Sequence, residues 1–100
     1  MNYFMIAAAS PTPEQRNAIT FLFKGKPQYG YWHWTPDFWL ITSTDYSDNS
    51  ATIRDAVRDT VPGLPFAVFA VNPVPGDWAM WADMRWGDWV KQNWPSISQP

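Results

Sequence analysis

Four short apolar segments alternate with two amphipathic segments along most of the chain. The apolar segments are rich in aromatic, branched and small side chains, and they span residues 3–9, 29–34, 38–42 and 66–71. Such runs, bounded by Gly, Pro or polar residues, predict β-strands. Apolar positions recur at helical spacing in residues 13–24 and 50–60, which predicts two helices. The predicted order is strand, helix, strand, strand, helix, strand.

The first predicted helix has clear start and stop signals. Thr12 can cap its N-terminus, Pro13 suits its first turn, and Gln15 follows Thr12 by three residues as a capping-box partner. Lys24 then lies where a cation opposes the negative end of the helix dipole, and Gly25 follows it. The sequence therefore predicts a helix that begins after Thr12 and ends near Lys24.

The C-terminal quarter of the chain has a different pattern. Five tryptophans follow each other at spacings of three, five, three and five residues: Trp78, Trp81, Trp86, Trp89 and Trp94. These spacings are roughly helical, so we expect one or two short helices with a Trp-rich face. We interpret residues 1–76 as the core and residues 77–100 as a helical extension of the same single domain.

The predicted fold class is α+β. The element order favours a ferredoxin-like βαββαβ arrangement, an antiparallel four-stranded sheet with two helices on one face and the Trp-rich helical tail appended. An open sheet face normally alternates apolar with polar residues, but residues 38–42 and 66–71 are apolar on both sides. We therefore expect the second face to be covered by the tail or by a second copy of the chain, and we predict a homodimer.

Aromatic content is the unusual feature of the composition. Hydrophobic residues make up 46% of the 100 residues and charged residues 16%, which is typical of one folded domain. Eight Trp, six Phe and four Tyr bring more apolar area than a domain of this size buries easily. Part of that area should contact a partner or a ligand.

Charge and cysteine content narrow the functional classes. The net charge is −2, and the chain has only seven Lys and Arg residues, so it lacks the excess of positive charge that is typical of nucleic-acid-binding proteins. A protein partner is therefore favoured, while nucleic acid stays possible. Without cysteine there is no disulfide, zinc–thiolate site or thiol nucleophile. The apolar N-terminal run follows no basic residue and is too short for a membrane span, so we expect a cytoplasmic protein without membrane contact.

Aromatic side chains are the candidate contact residues. We predict that the binding surface draws on Tyr31, Trp32, His33, Trp34, Trp39, Trp78, Trp81 and Trp86. The aromatic residues of the predicted hairpin also suit a stacking platform for bases, but such platforms lie beside positive grooves and the hairpin has no Lys or Arg. Packing in a core or an interface is the favoured interpretation.

Charged and titratable residues give weaker signals. Arg54 and Arg58, one helical turn apart, are candidates for phosphate contact in a nucleic-acid alternative, although acidic residues follow each of them. Asp45 and Asp48 share a polar loop, where turn formation and helix capping are favoured over cation binding. His33 is the only histidine, so we expect a structural or surface role. We predict no metal site, cofactor or catalytic constellation, which disfavours an enzyme.

Several segments carry a resemblance to a known family. They are residues 31–34 (YWHW), 38–44 (FWLITST), 53–57 (IRDAV), 66–71 (FAVFAV) and 86–91 (WGDWVK). In order and spacing the chain resembles small Cas-associated, SinR-like proteins that share the ferredoxin-like fold of the CRISPR adaptation endonuclease family. The resemblance implies a ferredoxin-like protomer that dimerises. It also implies, for the nuclease relatives, a metal-binding carboxylate at the end of the first strand, where this chain has Ala-Ala-Ala-Ser at residues 7–10.

The functional prediction is a non-enzymatic binding or assembly module. We expect a homodimer that binds a macromolecule through its aromatic surface, for instance a host or defence protein inhibited by occlusion. One alternative is a nucleic-acid-binding protein or metal-dependent nuclease of the resembled family. Another is a small-ligand sponge that holds a nucleotide in a pocket at the dimer seam.

Overall fold

The computed structural model describes residues 1–81 and 84–94. Four strands and three helices follow each other as β1 (Asn2–Ala8), α1 (Pro13–Lys24), β2 (Tyr29–Thr35), β3 (Phe38–Ser43), α2 (Ser50–Thr60), β4 (Phe66–Val71) and α3 (Met84–Asn93). The predicted α+β class is confirmed. Among the described residues no helix is long and apolar enough to cross a membrane.

The strands form one antiparallel sheet in the order β2-β3-β1-β4. β1 is central, because Ile6 pairs with Trp39 of β3 on one side and with Val68 of β4 on the other. The sequential order βαββαβ is compatible with the ferredoxin-like arrangement. β2 and β4 are the two edge strands.

The core lies between one sheet face and helices α1 and α2. Alternate residues of β1 point to this face, as the period of two in a strand requires. The fully buried apolar side chains come from the sheet and from both helices: Phe4, Ile6, Ile19, Phe23, Trp39, Ile41, Ile53 and Val57. Each of them removes enough apolar surface from water to contribute roughly 1.5–3 kcal/mol of transfer free energy, so this face holds the fold together.

Side-chain caps fix where both core helices begin. The predicted capping box of α1 is confirmed. The backbone N–H of Gln15 donates to the Thr12 hydroxyl at 3.1 Å, and the backbone N–H of Thr12 donates to the side-chain carbonyl oxygen of Gln15 at 2.9 Å. In α2 the same role belongs to Asn49, whose side-chain carbonyl oxygen accepts from the backbone N–H groups of Ala51 and Thr52 at 2.9 and 3.0 Å. Both helices therefore have defined N-terminal ends.

Helix α3 packs on the second sheet face and covers only part of it. Trp94 meets the Tyr3 ring edge-on with centroids 4.9 Å apart, and Val90 is buried. On β4, by contrast, Phe69 is 56% exposed and Ala67 is also exposed. In this chain alone α3 therefore covers only part of the second face, and coverage of the rest by a second copy stays a prediction. One helix about 10 Å wide covers about two strands spaced roughly 4.8 Å apart, and the sheet has four.

Residues 77–81, the first part of the predicted helical tail, are not helical. Trp78 and Trp81 therefore lie in an irregular segment before α3. The predicted extension also included residues 82–83 and 95–100, which lie outside the described residues. A proline and a glycine at residues 75–76 and an aspartate at 77 favour a turn over a helix start, which accounts for the difference.

Candidate binding groove beside strand β2

A groove of about 410 Å³ runs along edge strand β2. Its lining comes from three elements, with α1 on one side and α3 on the other: Lys24, Tyr29, Gly30, Tyr31, Trp32, His33, Trp34 and Trp89. We call this the β2 groove. Four of the predicted contact residues, the consecutive residues 31–34, lie together in it.

A glycine allows α3 to approach the strand. A Cβ atom at Gly30 would lie 2.6 Å from the Thr42 hydroxyl and 3.3 Å from the Trp89 ring. The Trp89 indole thus packs against bare backbone, and a side chain at Gly30 would push it away. A glycine inside a strand often marks such a close approach of another group. Gly30 therefore sets the width of the β2 groove on the α3 side.

The imidazole of His33 is held by two contacts. Its ring stacks on Trp39 with centroids 4.0 Å apart and planes 4° from parallel. Its Nδ1 lies 2.9 Å from the carbonyl oxygen of Phe38, which can only accept, so Nδ1 carries the proton. In the neutral ring Nε2 is then an acceptor. The ladder between β2 and β3 shifts register between Trp32 and Thr35, and His33 lies in this irregular stretch.

Tyr29 closes one end of the groove and binds the loop that precedes α2. Burial, together with a hydrogen bond to Asp48 and the negative charge of that carboxylate, raises the pKa of Tyr29 to about 12. The Tyr29 ring also meets Phe23 of α1 edge-on at 5.1 Å. This end of the groove is therefore tied to the core.

Two exposed side chains line the groove. Trp34 is 44% exposed, and Lys24 is exposed at the C-terminal end of α1, next to Phe23, whose ring contacts Tyr29. Trp32, which is only 8% exposed and meets Phe38 edge-on at 6.4 Å, provides the apolar floor. The groove therefore combines an aromatic floor with one cation at its rim.

The other predicted contact residues do not line this groove. Trp39 is fully buried, and its indole N–H donates to the Thr20 hydroxyl at 3.3 Å, so it is a core residue rather than part of a contact surface. Trp81 is fully exposed and Trp78 is half-buried, both in the segment before α3. The side chain of Trp86 lies outside the described part of the chain.

The two candidate arginines lie in exposed ion pairs on α2. The Arg54 guanidinium is 2.9 Å from the Asp55 carboxylate, and that of Arg58 is 3.3 Å from Asp55 and 3.1 Å from Asp59. Exposed ion pairs of this kind contribute little to stability. They neutralise the positive charge of the two arginines, which therefore attract a phosphate group less strongly. The arrangement is a solvated helix face.

The two candidate loop carboxylates are occupied by local hydrogen bonds. Asp45 accepts from the Ser47 amide at 2.9 Å and from its hydroxyl, which lowers the pKa of Asp45. Asp48 accepts from the Ser43 hydroxyl at 2.7 Å and from that of Thr52 at 2.9 Å. Among residues 1–81 and 84–94, no three His, Asp or Glu side chains gather in a way that would hold a metal ion.

Sequence reasoning missed three residues that shape the groove: Lys24, Gly30 and Trp89. Lys24 was assigned only to the end of a helix, and nothing in the pattern brings that end beside β2. Gly30 gave a usable signal, because a lone glycine between two tyrosines in a strand points to close backbone approach. Trp89 belongs to the tail, whose packing depends on contacts distant in sequence.

Comparisons with known proteins give no relative. No protein-family model, no curated protein and no solved structure matches the chain significantly.

Proposed function

We propose that this chain is a non-enzymatic binding module that holds an apolar anchor of a protein partner in the β2 groove. The observation that carries the proposal is the groove itself, which is lined by the consecutive aromatic residues 31–34 of β2 together with Trp89 and Lys24. Such a site offers shape, apolar area and one charge. Its lining contains no carboxylate, and its histidine is held by Trp39 and by the carbonyl oxygen of Phe38.

The aromatic lining supports a protein partner. Tight contacts between proteins depend on a few anchors, often aromatic, that fill pockets and exclude water. The floor at Trp32 is already buried in the free chain, so little side-chain entropy is lost when an anchor packs on it. Trp34, at the rim, is the side chain best placed to cover the anchor from the solvent side.

The single cation at the rim indicates which partner fits. Lys24 is exposed, and the groove lining contains no carboxylate, so an acidic residue beside the apolar anchor would be attracted and a basic one repelled. The favoured partner segment therefore combines an aromatic or large aliphatic residue with an Asp or Glu next to it.

A small anionic aromatic ligand is the second candidate for the same groove. Its volume, about 410 Å³, falls within the range of roughly 300–1,000 Å³ that is usual for small-molecule sites. A nucleotide supplies both a ring for the aromatic floor and a negative charge for Lys24. Nucleic-acid polymers are less well supported, because Arg54 and Arg58 are already paired with aspartates.

We further propose that the protomer has the ferredoxin-like fold and forms a homodimer. The βαββαβ order and the central position of β1 support the fold, which is also the one implied by the SinR-like resemblance. The part of the second sheet face that α3 leaves uncovered supports the dimer, because Phe69 is exposed there.

A peptide-display selection on the immobilised wild-type protein tests the groove. We expect enriched peptides that combine an aromatic residue with a neighbouring acidic one, and we expect Trp34→Ala to weaken their binding. Phe21→Ala is the matched control, since Phe21 is 69% exposed on α1 and does not line the groove. Peptides that bind both variants equally well would contradict the proposal.

A thermal-shift screen with nucleotides separates the two candidates. A ligand at about 100 times its Kd stabilises the folded state by roughly 2.7 kcal/mol, which shifts the melting temperature measurably. A shift that Trp34→Ala abolishes would favour the small-ligand function. Binding of single-stranded DNA that weakens steeply with salt would favour the nucleic-acid alternative instead.

A further inference from the structure

The outer edge of β4 lacks the features that normally prevent strand pairing. Edge strands in monomers are usually protected by charged residues, prolines or bulges. β4 reads Phe-Ala-Val-Phe-Ala-Val, and its ladder with β1 is regular over all six residues. Edge strand β2 differs, because a register shift interrupts its ladder. The unprotected edge is therefore on β4.

The hydrogen-bonding groups on this edge belong to alternate residues. The Ala9 amide donates to the Pro65 carbonyl at 2.9 Å, so the pair formed by residues 9 and 65 bonds across the β1–β4 ladder. Alternation in an antiparallel ladder then directs the backbone groups of residues 67, 69 and 71 toward β1. Those of Phe66, Val68 and Ala70 point outward, where no strand of the described chain pairs with them.

The side chains beside this edge form a projection and a recess. Phe69 projects from the uncovered sheet face with 56% of its surface exposed. Two residues away, a groove of about 370 Å³ is lined by Ala7, Ala8, Ala9, Pro65, Phe66 and Ala67. Ala67 pairs with Ala7 in the ladder, so the sheet surface there consists of methyl groups with room above them.

We propose that β4 pairs antiparallel with β4 of a second copy, about a two-fold axis at Val68. In this register Phe69 of each copy lies opposite Ala67 of the other, and Phe66 lies opposite Ala70. Each phenylalanine faces an alanine, Val68 faces its own copy at the axis, and each Phe69 packs over the recess at Ala67 and Ala7. No charged residues are brought together, since β4 has none. The two sheets become one of eight strands.

The inference rests on the homodimer proposed above, for which it names the seam, and it is independent of the β2 groove. The β2 grooves of the two copies lie on the far edges of the joined sheet, because β2 and β4 are opposite edges of each protomer. Both grooves of the dimer therefore stay accessible to partners.

Cysteine cross-linking tests the register directly, because the natural chain contains no cysteine. Residues 67 and 69 face each other as a non-hydrogen-bonded pair, whose Cα atoms lie about 4.5 Å apart, within the range a disulfide needs. We expect an oxidised equimolar mixture of Ala67→Cys and Phe69→Cys proteins to give a covalent dimer, and neither protein alone to do so. Cross-linking of Phe69→Cys with itself, or no cross-link in the mixture, would overturn the register.

Solution mass tests the seam without cysteine. We expect wild type to scatter light as twice the 11.5 kDa of one chain, and Phe69→Lys to scatter as a folded monomer, because two lysines would be buried against the recesses. Phe21→Lys makes the same change on exposed α1 and should leave the dimer intact. A dimer unaffected by Phe69→Lys overturns the seam but not the dimer, whereas a monomeric wild type overturns both.

Discussion

Gly30 shows how one missing side chain determines the shape of the candidate site. The strand it belongs to is otherwise aromatic and β-branched, and any side chain at this position would meet Thr42 and Trp89. Gly87 in α3 is a useful contrast. A Cβ atom there would lie 3.6 Å from the Met80 sulfur, which is an ordinary contact distance.

The two glycines should respond to alanine in opposite directions. Gly30→Ala forces overpacking, so we expect the free energy of unfolding to fall by about 1–3 kcal/mol. Gly87→Ala improves helix propensity without a clash, so we expect it to rise by about 0.5–1 kcal/mol. Urea unfolding followed by tryptophan fluorescence measures both. Equal effects of the two substitutions would mean that a side chain at Gly30 clashes with neither Thr42 nor Trp89.

Tyr29 should ionise only at strongly alkaline pH. Its pKa is raised from 10.0 to about 12 by burial and by Asp48, so the fold favours the neutral phenol. The corresponding stability is fully present below pH 10 and is lost as the pH rises toward 12. In absorbance titrations at alkaline pH we expect wild type to show a step near pH 12 that Tyr29→Phe removes. A step near pH 12 that remains in Tyr29→Phe would contradict this assignment.

At the scale of elements, the ends of helices and strands were largely predictable. The predicted bounds of α2 and β4 agree with those observed, because Pro62, Gly63 and a polar loop give strong local stop signals. The capping box at Thr12 was equally readable. The position of α3 was not predictable, since it depends on Gly30 and Tyr3, residues distant in sequence whose contacts leave no periodic pattern.

The Asn49 cap should contribute measurably to α2. Its side chain accepts from two amides that have no partner within the helix, so we expect Asn49→Ala to lower the free energy of unfolding by about 1 kcal/mol. Asn17→Ala makes the same change on the exposed face of α1, where alanine is the better helix former, and should not destabilise. Thermal unfolding of both variants provides the comparison, and an unaltered midpoint for Asn49→Ala would show that the cap contributes nothing.

At the scale of the whole molecule, the sheet separates two surfaces. None of its four strands contains Asp, Glu, Lys or Arg, so charge lies mainly on helices and loops. The β2 edge has an aromatic groove with Lys24 at its rim, and the β4 edge has an unprotected strand. The sequence indicated excess aromatic surface and a second apolar sheet face that needs a cover, but strand order decided which residues share each edge. Trp39 and Trp34 show this: five residues apart, one is core and the other lies at the groove mouth.

The most direct test of the proposed function is the affinity of the best selected peptide for two lysine variants. Lys24 lines the groove and Lys26 does not, yet both are exposed and lie two residues apart. Lys24→Glu and Lys26→Glu therefore change the net charge equally and differ only in position. We predict that Lys24→Glu raises the Kd about fivefold or more, whereas Lys26→Glu changes it by less than about twofold. Equal effects of the two substitutions would show that the partner does not bind in the β2 groove.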